Sequence, residues 1–248
     1  MSHHYDSRFM SYADVSSRAS AERIARLLLQ VLPIRSVLDV GCAKGTWLQV
    51  WDSLGAVDIQ GVDGSYVRSD QLRIPADRFH AADLSQPLNL GRRFDLVQSL
   101  EVAEHIDSAS AKTFIESLTR HSNGIILFSA APPGQGGEFH INEQPYDYWR
   151  SLFGQLGFHA HDWIRPQIAG DAGTSFWYRY NSFLYVHQSV ANSLPPSIAS
   201  SRVDPLLPLA DVSPRVFQWR KRAVRLLPNR VRDGLARFKA KFLPSGRW

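Results

Sequence analysis

Val37-Leu38-Asp39-Val40-Gly41-Cys42-Ala43-Lys44-Gly45-Thr46-Trp47 reads as an apolar strand that ends in an acid, turns through two glycines and opens into a helix. Glycine lets backbone approach a ligand closely, and the start of a helix offers unpaired N–H groups. Such a turn at the carboxyl end of a parallel strand suits a nucleoside cofactor. Working outward, a second strand over Val57–Val62 ends at Asp63, where one carboxylate can accept two hydrogen bonds from a ribose diol. A third short strand, Phe79–Leu84, contains Asp83. A fourth, Arg93–Leu100, leads into Glu101-Val102-Ala103-Glu104-His105.

This ordered set of strand ends, from about Ser36 to Phe128, resembles the class I S-adenosylmethionine-dependent methyltransferases. The resemblance implies an α/β fold: a Rossmann-like seven-stranded sheet with helices on both faces and an antiparallel last strand. It also implies a cofactor site. Asp39, Gly41, Cys42, Ala43, Gly45 and Trp47 would hold the methionine part, Asp63 and Gly64 the ribose, Asp83 and Leu84 the adenine, with Ser99 and Leu100 along the cofactor. The family's middle loop glycine is Ala43 here. An NAD-type site is the competing reading, but the turn lacks G-x-G-x-x-G.

The chain of 248 residues is long enough for one full α/β domain with extensions. No apolar run approaches the roughly 20 residues needed to span a bilayer, and the first residues lack the build of a signal peptide. Cys42 is the only cysteine, so no intrachain disulfide forms, and a reducing cytoplasm is expected. Cys42 itself reads as a small packed residue. The net charge of +5 is unevenly spread: residues 214–248 hold eleven Lys or Arg against Asp233 alone, a net +10, which leaves −5 on the rest.

The expected organisation is an N-terminal helical cap over 1–34, a catalytic domain over 35–187, a Pro/Ser-rich linker over 188–214 and a basic amphipathic tail over 215–248. Ile24, Leu27, Leu28 and Val31 mark one face of a helix over 16–32, stopped by Pro33, with Tyr5 and Tyr12 upstream as entrance-lining candidates. A helix over Ser108–Arg120 precedes a fifth strand over Gly124–Ser129. A polar, glycine-rich loop over 132–144 then leads to a helix at Tyr146–Phe153 and a sixth strand at Gly157-Phe158. The aromatic run Phe176–Val186 reads as the last strand, and two basic helices broken at Pro228 follow the linker.

Methyl transfer to a hydroxyl requires that its proton be removed or its pKa lowered. The catalytic candidates are His140, Glu104 and His105. If the chain turns helical directly after the fourth strand, Glu101, Glu104 and His105 share one helix face. Glu-x-x-Glu-His plus a later His resembles the divalent-metal site of small-RNA 2′-O-methyltransferases, which implies Glu101, Glu104, His105 and His140 as ligands. Mixed carboxylate and imidazole donors suit Mn²⁺, Fe²⁺ or Zn²⁺ better than Mg²⁺. The same Glu-x-x-Glu-His also resembles ubiquinone-pathway O-methyltransferases. Glu-His at this place is common in metal-free class I enzymes too, so a metal-free role for His140 as base stays open.

The segments Gly136–Trp149 and Trp177–Asn181 resemble a group of bacterial methyltransferases linked with sugar and surface-polysaccharide modification. Asn142, Gln144 and Asn181 can bond sugar hydroxyls, and Tyr148, Trp149 and Tyr178 can stack on a pyranose, although such aromatics more often pack in the core. The expected function is O-methylation of a sugar or glycan. RNA methylation and O-, N- or C-methylation of a small molecule are the alternatives, and a non-enzymatic binding module is a third. Apolar residues between the arginines of 215–248 favour an anionic membrane surface, at the inner membrane face, over nucleic acid as the tail's partner.

Overall fold

The structure, a computed structural model, describes residues 7–225, with side chains from Ser17 onward. Tyr5, the side chain of Tyr12 and the second basic helix expected beyond Pro228 lie outside the described residues. Seven strands form one sheet: β1 (Ser36–Val40), β2 (Asp58–Asp63), β3 (Phe79–Ala81), β4 (Leu96–Leu100), β5 (Ile125–Ser129), β6 (Phe158–His161) and β7 (Phe183–His187). The strand order is β3-β2-β1-β4-β5-β7-β6. The first five strands run parallel, and β7 is antiparallel to both β5 and β6. This is the sheet that the resemblance implies.

The helices are α1 (Ser7–Leu29), α2 (Thr46–Ser53), α3 (Ala111–Arg120), α4 (Tyr146–Gln155), α5 (Ile164–Ile168), α6 (Phe176–Asn181), α7 (Pro196–Ala199) and α8 (Arg215–Arg225). The central strands are buried on both faces and therefore read as near-continuous apolar runs. One core gathers Ile24 and Leu28 of α1, Leu48 and Trp51 of α2, and Trp163, Ile164 and Ile198 against the sheet. The other packs Phe114 and Leu118 of α3 and Trp149 and Phe153 of α4 on the opposite face, where Phe153 stacks on Tyr185.

Three expectations are corrected. The run Phe176–Val186 is not one strand, because its first half is α6. Aromatics favour strands only where they meet a pleated, half-buried surface. Here the Ser175 amide donates to Ser20 Oγ at 3.0 Å, and the helical turn seats Tyr178 edge-on against Trp47, 5.2 Å between centroids. The segment 188–214 is not a free linker. Ile198 and Leu209 are buried, Val203 N–H donates to the Ala160 carbonyl, and the Ser201 carbonyl accepts from Asp162 N–H, so this chain extends the β6 edge. Finally, no helix begins directly after β4. Glu101 takes a left-handed φ of +56°, and only a 3₁₀ turn, Ala103–His105, follows.

If 188–214 is part of the fold, Ile198→Ala removes a fully buried side chain and should cost about 2–4 kcal/mol in chemical denaturation. An unchanged midpoint would mean that the segment is only tethered.

Candidate functional site

Strand order reverses between β1 and β4, and open α/β sheets bind ligands outside the carboxyl ends of strands at such a point. The β1–α2 turn lies there. Gly41, Ala43 and Gly45 have φ of +87°, +48° and +83°, so the turn curls through left-handed backbone. At Gly41 a Cβ would also collide with Val102. Asp63, at the end of β2, closes the turn from the side: its carboxylate accepts from Ala43 N–H at 2.7 Å, from Gly64 N–H at 2.6 Å and from the Tyr66 hydroxyl.

Register places Asp39 beside Gln98 on adjacent strands, on the α2 face, where Trp51 Nε1 donates to Gln98 Oε1 at 2.8 Å. Burial pushes the Asp39 carboxyl up to about 7, the Gln98 amide pulls the other way and Asp63 adds repulsion. Burial likewise raises Asp63, against the three groups that donate to it. The Cys42 thiol is driven well above its ordinary range, first by burial and then by Asp63 and Asp39, so it is no thiolate nucleophile. Leu100 is buried at the end of β4, and Leu84 is half-buried beyond β3. Asp83 is exposed beyond β3, held by Ser85 N–H and Oγ, which lower its pKa.

These residues fit S-adenosylmethionine. The turn presents backbone without bulk, and Ser99 Oγ is a buried polar atom with no partner among the described residues. Asp63 would meet the ribose, although Ala43, Gly64 and Tyr66 occupy it here.

Across the switch point, β4 and the loop after β5 build a second half. Glu101 N–H donates to Ser129 O and Oγ, which pins its left-handed backbone. Its carboxylate accepts from Gln135 Nε2 at 2.7 Å and Asn181 Nδ2 at 3.1 Å. Asn181 also donates to Gln135 Oε1 and accepts from the Tyr146 hydroxyl. Burial raises the Glu101 pKa and outweighs those donors.

Glu104 is fully buried, and neither carboxyl oxygen has a hydrogen-bond partner among the described residues. Burial, then repulsion from Glu101, puts its pKa well above the carboxylate range. Facing it are two imidazoles. Ligand atoms of Glu104, His105 and His140 all lie within 4.8 Å of one another, with Glu104 Oε1 3.9 Å from His140 Nε2. His105 Nδ1 meets the Phe139 carbonyl at 3.1 Å, and His140 Nδ1 meets Glu143 Oε1 at 2.9 Å. A carbonyl and a carboxylate only accept, so each Nδ1 carries a proton and turns Nε2 toward the Glu104 carboxyl.

Of the four metal ligands expected from sequence, the structure joins three. Glu101 is not among them: its carboxylate is engaged by Gln135 and Asn181, and the left-handed turn breaks the helix spacing expected to group it with Glu104 and His105. Among the substrate candidates, Asn142 lies beside the cluster, its N–H on the Glu104 carbonyl, its Oδ1 accepting from Gln144 Nε2 and its buried Nδ2 without a partner among the described residues. Tyr148 is half-buried and edge-on to Trp149. Trp149 belongs to the core against Phe128, and Tyr178 is buried between Trp47 and Ser17. Neither offers a stacking face to a sugar. Asn181 is committed to the Glu101 network. Sequence reasoning passed over Gln135 and Glu143. Glu143 accepts from Gly134 N–H, Gly136 N–H and His140, and these bonds hold its pKa low despite burial. Its position three residues after His140 was the available signal.

A family model described as a methyltransferase domain matches residues 8–166. No curated protein matches the chain. Among solved structures, the chain is similar to the sugar N-methyltransferase KedS8 of Streptoalloteichus sp ATCC 53650, with 19% identity and a TM-score of 0.53 over 68% of this chain and 87% of that one. An O-methyltransferase family protein of Burkholderia thailandensis gives 14% identity and 0.55 over 72% and 58%. Magnesium protoporphyrin IX methyltransferase of Synechocystis PCC 6803 gives 20% and 0.50 over 70% and 81%. At these identities the likeness is one of fold.

The raised Asp39 pKa has a definite sign. The unfolded chain loses this proton near the ordinary value of 3.8 and the folded chain near 7, so stability falls as pH rises between them. Asp39→Asn should therefore gain melting temperature relative to the parent as pH goes from about 4 to about 8. A pH-independent difference would contradict the assignment.

Proposed function

The chain belongs to the methyltransferase-domain family and is an S-adenosylmethionine-dependent methyltransferase, and on that premise we propose that it methylates a hydroxyl of a sugar or glycan with the help of a divalent cation. The observation that carries this reading is the Glu104 carboxyl. A buried, unpartnered carboxyl requires either a proton or a cation, and two imidazoles oriented by their Nδ1 bonds stand beside it. Donors around a cation with bonds near 2.1 Å stand about 3–4 Å apart, so small side-chain shifts close the cluster. Two imidazoles and one carboxylate favour Mn²⁺, Fe²⁺ or Zn²⁺ over Mg²⁺.

S-adenosylmethionine supplies an electrophilic methyl group on a positively charged sulfur. The protein's part is to bind it through the β1–α2 turn and Asp63 and to surround the positive charge with buried acids. Glu104, His105 and His140 would hold the cation, whose Lewis acidity lowers the pKa of a bound hydroxyl. Asn142 Nδ2, buried beside them with no partner among the described residues, would donate to a neighbouring sugar hydroxyl. The solved sugar N-methyltransferase with the same fold supports a sugar acceptor. If no cation binds, the bond between His140 Nδ1 and Glu143 favours a second reading. His140 Nε2 then takes the hydroxyl proton, and Glu143 stabilises the charged ring.

Labelled methyl transfer to nucleotide sugars, glycans and RNA 3′ ends tests the proposal. Transfer to a saccharide should require Mn²⁺, stop on chelation and fall about 100-fold in kcat in Glu104→Gln with cofactor binding intact. Full activity after chelation would remove the cation from the mechanism. Transfer to RNA alone would replace the acceptor.

A further inference from the structure

We propose that the outer face of α8, with the chain leading into it, is a docking surface for an anionic lipid bilayer that sets the loop beneath α8 beside the membrane. Among the described residues, eight large apolar side chains are exposed, and five of them fall between 206 and 219: Leu206, Leu207, Val212, Val216 and Trp219. Leu206, Val216 and Trp219 are 90%, 79% and 71% exposed, far beyond chance grazing of the surface.

Their exposure is not that of a loose chain. Arg150 donates to the Asp204 and Leu207 carbonyls, and Leu206 N–H donates to Asp204 Oδ1. Gln218 Nε2 donates to the Asp211 and Ser213 carbonyls, and Lys221 pairs with Asp211. The backbone is fastened while the apolar side chains point out.

The inner face of α8 is already used. Phe217 stacks on Phe176, and Arg220 donates to the Gln135 carbonyl at 3.1 Å. The Lys221 carbonyl lies so close over Gly134 that a Cβ there would overlap it. The outer face therefore presents Arg215, Val216, Trp219, Arg222 and Ala223, a mixture of cations with Val and Trp.

That mixture fits a bilayer better than RNA. Phosphate binding needs cations alone, whereas Trp and aliphatic groups between cations suit the headgroup boundary. Charge also fixes orientation: residues 214–248 carry +10 and the remainder −5, so an anionic surface attracts one end and repels the rest. Because α8 covers the loop that carries Gln135, His140 and Glu143, docking would bring the site to headgroup level. The acceptor would then be a sugar carried on a lipid. That last step rests on the sugar-acceptor reading, and the docking itself does not.

Co-sedimentation of the full chain with vesicles, without cofactor or acceptor, tests the surface. Vesicles of phosphatidylcholine with about 30% phosphatidylglycerol should bind it and pure phosphatidylcholine should not, with binding lost at about 0.5 M salt. The double variant Val216→Asp, Trp219→Asp should lose at least about tenfold in vesicle affinity while keeping its melting temperature and its transfer to a soluble sugar. Undiminished binding by that variant, no binding by the parent, or tighter binding of a short RNA than of the vesicles would overturn the proposal. Failure of the sugar reading would appear only in the transfer assay.

Discussion

Three buried acids, Asp39, Asp63 and Glu104, and the half-buried Glu101 stand at the carboxyl edge of one sheet, and the rest of the site is arranged around the cost of keeping them there. Burial raises all four pKa values, and neighbouring acids add to the rise at Asp39 and Glu104. The structure answers each differently. Asp63 takes two backbone N–H groups and a tyrosine hydroxyl. Glu101 takes two side-chain amides. Asp39 moves toward neutrality, and Glu104 faces two imidazoles, with its own and the Ala131 N–H groups offsetting only part of the cost of burial. A site so built favours positive ligands, and a sulfonium cofactor and the cation proposed at Glu104 would answer the same electrostatic need.

Backbone strain follows the same map. Among the described residues, the non-glycine positions with positive φ are Ala43, Glu101 and Phe139. One lies in the β1–α2 turn, one turns the chain after β4, and one precedes His140. Left-handed backbone costs an ordinary residue roughly 1–2 kcal/mol, so each must be held by its surroundings. Two Ser129 acceptors hold Glu101. Glu143, by gathering Gly134, Gly136 and His140, holds the loop around Phe139.

Much of this was legible in the sequence because parallel strands end in short, chemically distinctive turns. The acids at Asp39 and Asp63, the glycine turn, Glu104-His105 and His140 could all be placed before the fold was seen. What could not be read depends on packing or on single backbone torsions. Nothing in a glutamate announces a left-handed φ, so Glu101 was expected to share a helix face with Glu104 and His105 that does not form. The aromatic run at Phe176 carries strand preference, and only contact with Ser20 and Trp47 makes it α6. Ile198 and Leu209 have no periodic neighbours, so the proline- and serine-rich chain around them resembles a tether although it is docked on β6. Leu28 and Trp51 are fully buried in the core because helical spacing turns them toward the sheet. Trp149 does the same on the other face, which is why it could not also be a sugar platform.

The central claim is that Glu104, His105 and His140 hold a divalent cation. Anomalous diffraction at the manganese edge, from crystals grown with Mn²⁺ and the cofactor, tests it most directly. The account predicts one anomalous peak bonded to a Glu104 oxygen and to Nε2 of both histidines, with Glu101 still on Gln135 and Asn181. No peak among these three side chains, with Glu104 left unbonded in a cofactor-loaded crystal, would contradict it.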